Sequence, residues 1–565
     1  MTTESAPWWK SAVVYQVYPR SFADSDGDGI GDLRGIRSHL DHLRDLGIDA
    51  LWISPFYRSP QDDNGYDISD YRDVDPMFGT LGDLDELIAA ADERGIRIVL
   101  DLVVNHTSDE HAWFEASRAR RGGKDDWYIW RDARDGHEPG TPGAEPNNWR
   151  SFFGGPAWEW DAGRGQYYLH LFSRKQPDLN WENPDVRAAV HDMMSWWLDR
   201  GIGGFRMDVI NLISKVPGLP DGEVGEDGLG NGAPFAMGGP RLEEFLVEMH
   251  DRVFAGRDEV YLTVGEMPGA TPEQGSRFTD LASGPLSMVF QFEHVDLDHV
   301  GGKWRHQPVR AIDLKRSFGR WQEALAEHGW NSLYFENHDQ PRVVSRWGDD
   351  GEHWRASATA FATVLHLMRG TPYVYQGEEI GMTSYPFASR ADLRDIESLN
   401  HFDAAVARGE DPNAVLAAIR HIGRDNARTP MQWDASPHAG FTEGEPWIPV
   451  NPNHTWLNVA AQADDPGSVL AYYRRLIALR HSDPVVVDGT FRMLLPEHPD
   501  VFAYAREGDG GRVVVIANLS GERYEVDVPE VDGSGLVLAN VSVDGRTDRR
   551  LDLGPWEARV YRAGR

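Results

Sequence analysis

The sequence predicts an α/β protein built on an eight-stranded (β/α)8 barrel, with a lobe inserted after the third strand and an all-β domain at the C-terminus. Three patterns carry that prediction. Eight short apolar runs recur between Ala12 and Tyr375 with amphipathic stretches between them, one interval breaks the rhythm, and the chain beyond about Pro484 turns to alternation. The runs are Ala12–Val17, Ala50–Ile53, Ile96–Val104, Gly203–Met207, Val260–Val264, Ser287–Phe292, Asn331–Phe335 and Thr371–Tyr375. Each has the length of a strand and is apolar on both faces, as in a parallel sheet covered by helices. Leu40–Leu46 and Leu84–Arg94 space apolar residues three and four apart, and each closes on a glycine, Gly47 and Gly95, where a helix C-terminus favours left-handed backbone. The break runs from Asn105 towards Pro184 and is dense in Trp, Tyr, Phe, Gly and Pro (NNWRSFFGGPAWEW, GQYYLHLF), which reads as a lobe over 105–178. The barrel then occupies 1–104 and 179–483. Two insertions after strands, Lys215–Pro240 and about 379–429, wall a pocket on one face. The segments DPVVVDG, GRVVVIANLS and EARVYR read as a β-sandwich domain over 484–565.

Composition narrows the partners. The 90 acidic and 56 basic residues leave a net charge of -34, a field that repels nucleic acid and anionic lipid. With no cysteine there is no disulfide, thiolate nucleophile or Cys-ligated zinc, which suits a reducing compartment. The start, MTTESAPWWK, lacks a basic segment followed by an apolar one, and no window nears the ~18 apolar residues of a membrane span. These features predict a cytoplasmic protein, a monomer or weak homo-oligomer, acting on a small molecule.

The chemistry gathers where strands end. In parallel barrels the site lies at the C-terminal mouth of the strands, and polar residues follow the runs there: Asp101, Asn105 and His106 after the third, Arg206 and Asp208 at the fourth, Glu266 at the fifth, His338 and Asp339 after the seventh. Three carboxyls around one pocket are equipment for cleaving a glycosidic bond. Retention needs an ionised carboxylate as nucleophile and a protonated carboxyl as acid, while a third acid holds the distorted sugar ring. Arg206 projects to the same side of its strand as Asp208 and favours its charged form, so Asp208 is the better nucleophile. Glu266, in the apolar setting LTVGEM, is the better acid. The run Asp24, Asp26, Asp28, Ile30, Asp32 spaces oxygen donors like the front of an EF-hand loop, although Gly35 stands where that loop's bidentate Glu belongs. His106 and His338 lack a third partner at metal spacing and suit hydrogen bonds to sugar hydroxyls. The lobe aromatics Trp149, Phe152, Phe153, Trp158, Trp160, Tyr167 and Tyr168 could face sugar C–H bonds, but most are expected to form the lobe's own small core.

On VYQVYPRSF, DLVVNHTSDEH, QPDLNW, GFRMDVINLISK, GEM, ENHDQPR and RDNARTPMQWD, the chain resembles the α-amylase superfamily, glycoside hydrolase family 13, in its oligo-1,6-glucosidase and α-glucosidase branch. The resemblance extends over nearly the full length. It implies that Asp208 is the nucleophile, Glu266 the acid/base and Asp339 the transition-state stabiliser. It further implies that Asp67 and Arg424 grip the terminal glucose, with Arg428 the other candidate in the same motif. His106, Arg206, His338 and Gln176 would complete that subsite, and Tyr66 and Phe172 would wall it. A structural Ca2+ is implied at Asp24, Asp26, Asp28, the Ile30 carbonyl and Asp32. Val209, after the nucleophile, accompanies α-1,6 preference in similar enzymes, so exo-acting hydrolysis of isomaltose-type oligosaccharides is expected. The alternatives are an α-1,4- or sucrose-preferring glucosidase, a transglucosidase using a sugar acceptor, and, more remotely, a non-catalytic binding subunit. The RLDRD-like run of sucrose isomerases is absent from VVSRWGDDGEH.

Overall fold

A computed structural model describes residues 6–225, 228–543 and 548–564. Eight parallel strands form one sheet: β1 (Val14–Val17), β2 (Ala50–Ile53), β3 (Arg97–Val103), β4 (Gly204–Asp208), β5 (Leu262–Glu266), β6 (Met288–Phe290), β7 (Ser332–Leu333) and β8 (Thr371–Tyr375). Val14 pairs with Ala50 of β2 on one side and with Tyr373 of β8 on the other. A parallel bridge between Val289 and Asn331 joins β6 to β7 and closes the barrel. All eight predicted strands are present, β7 much shortened. Their inward side chains, including Val14, Trp52, Val99, Leu262, Val264, Met288, Phe290 and Tyr373, pack into a filled interior, so the barrel is a core and not a pore.

Local signals set the helices between the strands. Leu40–Leu46 stops at Gly47, whose φ of 96° is the left-handed conformation a side chain would resist. The next helix runs Leu81–Asp92, three residues earlier than the apolar spacing suggests, because Thr80 and Asp83 form a capping box. The inserted lobe contributes a three-stranded sheet of Trp130–Arg131, Gln166–Leu169 and Trp158–Asp161, with Gln166–Leu169 central. Trp149, Phe153, Trp158, Tyr167 and Tyr168 are buried in the lobe, as expected, whereas Phe152 is exposed. The late insertion holds three helices, Ile396–Ala407, Pro412–Ile422 and the short Asp425–Arg428.

The C-terminal unit is a five-stranded antiparallel sheet with a two-stranded ribbon, Tyr524–Asp527 and Arg550–Leu553, packed over one face. Its opposite face joins the barrel's core through Phe502, Tyr504, Val513 and Val515. One expectation fails here. The DPVVVDG segment is a helix over Pro484–Asp488, not a strand: Asp483 accepts the Val485 N–H, and Pro484 takes the first helical position. Among the described residues no helix is long and apolar enough to cross a membrane.

Candidate active site

Barrel register assembles the central cluster. Arg206 on β4 pairs with Asp101 on β3 and with Val264 on β5, and Glu266 lies two residues beyond Val264 on the same face. The fully buried Arg206 guanidinium therefore meets three carboxylates. Its Nη1 donates to Asp101 at 2.8 Å and to Asp208 Oδ1 at 2.7 Å, and its Nη2 lies 2.5 Å from Glu266 Oε1. Asp101 also accepts the Tyr66 hydroxyl at 2.9 Å and the Trp52 indole N–H at 3.2 Å. The second Glu266 oxygen accepts the Val209 backbone N–H at 3.0 Å. That N–H points inward because Val209 has φ 33° and ψ 42°, a left-handed conformation costly for a β-branched residue.

Burial raises the carboxyls of Asp208 and Glu266 above their usual range, opposed in both by Arg206. Each is pushed further up by nearby acids: Glu266 and Asp101 act on Asp208, Asp339 and Asp101 on Glu266. The charge on Glu266 thus bears directly on the ionisation of Asp208. Arg206 touches both, so it does not by itself separate nucleophile from acid as the sequence suggests.

Asp339 faces this cluster in a different field. Arg428 Nη2 donates to its Oδ1 at 2.8 Å and Arg424 Nη1 lies 3.5 Å from the same oxygen. Burial would raise its carboxyl, yet neighbouring charges hold it well below the usual range. Burial also lowers His338 to about 3 and leaves that imidazole uncharged, so the two guanidiniums keep Asp339 ionised. His338 Nδ1 meets Gln16 at 2.8 Å, and its ring stacks on Tyr66 with centroids 5.1 Å apart. His106, lowered by burial to about 4, lies 3.2 Å from the Tyr66 carbonyl and 3.3 Å from Gln176 Nε2. Phe172 packs 5.1 Å from the His106 ring.

A buried bridge spans the mouth. Arg424, from the late insertion, reaches Asp63 at 3.1 Å and Asp395 at 2.5 Å. Gln176 donates to the other Asp63 oxygen at 3.1 Å. Asp67, expected to grip the sugar beside Arg424, lies in the same turn, and its carboxylate accepts the backbone N–H groups of Asp62 at 2.8 Å and Asp63 at 3.0 Å. Asp67 shapes the turn, and the turn presents Asp63.

Residues 16–489 match the alpha amylase catalytic domain and residues 491–560 the maltogenic amylase C-terminal domain. The chain belongs to the α-amylase family. It is 53% identical to an oligo-1,6-glucosidase of Parageobacillus thermoglucosidasius, covering 98% of this chain and 99% of that protein. Among solved structures it resembles a trehalose-6-phosphate hydrolase of Bacillus licheniformis, at TM-score 0.92 and 42% identity over 99% of this chain and 100% of that one. An isomaltulose synthase of Erwinia rhapontici in complex with sucrose superposes at TM-score 0.93 and 41% identity, over the same shares of the two chains.

Within this α-amylase-family site, sequence reasoning passed over Asp63 and Asp395, held Arg428 only as the alternative to Arg424, and noted Asp101 without a role. Asp101 had a usable signal, since a charged residue inside an apolar strand next to that of Arg206 needs a partner. Asp395 had none, because it sits between helices in an insertion that no strand anchors. The acidic loop brings part of its expected ligand set together. Asp24, Asp26 and Asp28 converge so that one oxygen from each lies within 4.8 Å of the others. Asp32 also braces the loop: Oδ1 caps the helix Leu33–Ser38 through the Gly35 N–H at 2.7 Å, and Oδ2 accepts Ser25 N–H and O–H at 2.8 Å. Three all-oxygen donors fit a hard cation, so the loop suits Ca2+ with Asp32 as its brace.

Proposed function

We propose that the protein is a retaining, exo-acting α-glucosidase that removes terminal non-reducing glucose from short oligosaccharides, with α-1,6 linkages favoured. One observation supports the reading most: Asp208 and Glu266 lie side by side on Arg206, in a pocket that the Arg424–Asp63 bridge closes. Carboxyls gripped by adjacent guanidinium nitrogens suit the about 5–5.5 Å spacing of retention and not the about 6.5–9.5 Å of inversion. A buried ion pair across the mouth leaves no path for a chain to pass through, so cleavage falls on a chain end. The linkage preference rests on the similarity to oligo-1,6-glucosidases and on Val209.

In this mechanism Glu266 gives its proton to the glycosidic oxygen as that bond breaks. Arg206 occupies Asp208 Oδ1, so Oδ2 attacks the anomeric carbon and forms the glycosyl-enzyme. Glu266, now a carboxylate, takes a proton from the water that attacks the same carbon and releases Asp208. Two inversions restore the α-configuration. Asp339, held ionised, accepts hydrogen bonds from ring hydroxyls that strengthen as the ring flattens. His106, His338 and Arg424 orient the sugar, and Tyr66 and Phe172 flank it. Ca2+, held by Asp24, Asp26 and Asp28, would supply stability and no step of the reaction. Lack of cysteine and a strongly acidic composition favour a cytoplasmic location.

The likeness to an isomaltulose synthase supports a second reading, transfer of the glucosyl group to a sugar acceptor. Proton NMR of the purified protein on equal isomaltose, maltose and sucrose separates the two. Early α-glucose, fastest from isomaltose, supports the first reading. Faster maltose or sucrose turnover, or new disaccharides, replaces it, and inertness on all three revives a non-catalytic role.

A further inference from the structure

Away from the catalytic carboxyls, the loop after β6 carries Asp298, His299 and His306, and the helix Pro412–Ile422 brings His421 beside them, three residues before Arg424. The buried Asp298 carboxylate is fixed by Arg346, Nε to Oδ2 and Nη2 to Oδ1 both at 2.7 Å, and accepts the Trp347 indole N–H at 3.0 Å. Two imidazoles face it from beyond that shell. His421 Nε2 is 3.7 Å from Oδ2 and His299 Nε2 is 3.4 Å from Oδ1. Both nitrogens are buried and neither has a hydrogen-bond partner among the described residues. The His306 ring lies against that of His421, centroids 3.7 Å apart, and one donor atom each from Asp298, His306 and His421 falls within 4.8 Å of the other two.

Hydrogen bonding leaves this arrangement unexplained, since a buried nitrogen without a partner costs about 1–3 kcal/mol. Coordination of one ion by Asp298, His306 and His421 accounts for the unpartnered His421 nitrogen. Donors bonded at about 2.0–2.2 Å to one tetrahedral ion stand about 3.4 Å apart, longer than a hydrogen bond and close to the 3.7 Å between His421 Nε2 and Asp298 Oδ2. Two imidazoles with one carboxylate select borderline transition ions, unlike the all-oxygen loop at Asp24–Asp28. Arg346 opposes a cation, and nearby acids offset its charge. Asp296, Asp298 and Glu397 stand against Arg346, Lys303 and Arg424, with Lys303 2.5 Å and Arg424 3.6 Å from Glu397 and Asp296 3.5 Å from His299. Arg346 and Trp347 also orient the carboxylate as outer partners of a ligand do.

We propose that Asp298, His306 and His421 form a binding site for one divalent transition ion of the zinc class. The ion ties the loop after β6 to the helix that leads into Arg424, so it braces one wall of the pocket without touching the bond that breaks. The inference does not depend on the glycosidase reading.

Isothermal titration of Zn2+ into the full-length protein, stripped with chelator and then saturated with Ca2+ to fill the oxygen loop, tests it. One equivalent should bind and raise the melting temperature. His306→Gln and His421→Gln should each weaken binding at least about tenfold and remove the thermal gain. His306 is exposed, so its variant keeps the fold, checked by circular dichroism, and keeps its metal-free turnover of isomaltose. Absence of stoichiometric binding, or equal affinity and equal stabilisation in both variants, would overturn the assignment.

Discussion

Replacing Asp101 by Asn probes the logic of the catalytic cluster. Asp101 raises the carboxyls of both Asp208 and Glu266, so removing its charge lowers both. Its contact and that of Glu266 lie on different η nitrogens of Arg206, at 2.8 and 2.5 Å. Charges so arranged stand about 6 Å apart, and at an effective dielectric near 20 they interact by about 2.8 kcal/mol. One pH unit corresponds to about 1.36 kcal/mol, so the upper bound is about 2 units, and solvent at the pocket mouth reduces it to about 1–2. The sign follows from the role. Glu266 must hold its proton to act as acid, so a lower pKa moves the alkaline limb of the kcat/KM profile to lower pH. Asn keeps an oxygen for Trp52 and Tyr66 but turns an amide N–H towards Arg206, so stability falls by about 3–5 kcal/mol. The profile is therefore read at a temperature where circular dichroism shows the variant folded. A limb that stays in place, or moves to higher pH, would refute the claim that these acids share one electrostatic unit.

Asp208→Asn should abolish turnover of every α-glucoside, whereas Glu266→Gln should retain measurable rates on aryl glucosides whose leaving group needs no proton; equal losses in the two would exchange or merge the roles. Asp63→Ala should raise KM for isomaltose at least about tenfold by leaving Arg424 without one of its carboxylates, while Asp67→Asn should act mainly on the melting temperature; the reverse pattern in steady-state kinetics and calorimetry would make Asp67 the sugar contact. Chelation of the Asp24–Asp28 loop should lower the melting temperature yet leave kcat unchanged well below it, and Asp28→Asn should remove the effect of chelator; a fall in kcat at low temperature would place the ion in the reaction.

Barrel strands were legible because burial on both faces writes them as continuous apolar runs, and Gly47 and Gly95 punctuate the helices between. Pro484–Asp488 was misread because three valines favour a strand, while a cap of one residue and a proline at the first turn decide for helix. Asp208, Glu266 and Asp339 were legible for a related reason: a barrel delivers whatever follows its strands to one mouth. The pairing of Asp63 with Arg424 was not, since three aspartates fall within DDNGYD and only the turn's own hydrogen bonds choose which one faces inward. Contacts between loops distant in sequence leave no periodic trace.

The left-handed peptide at Val209 couples two things an engineer would wish to vary separately. Its side chain packs into the lobe's apolar cluster, against which Phe172 also lies, while its N–H anchors Glu266 and its backbone sits where valine is strained. Exchanging valine for a residue tolerant of positive φ, such as Gly or Asn, releases about 1–3 kcal/mol of conformational strain along with the change of shape. A library at this position therefore samples acid placement and linkage choice together, and a variant that gains a new substrate at the cost of speed need not have a poorly shaped pocket. It can simply have let Glu266 drift.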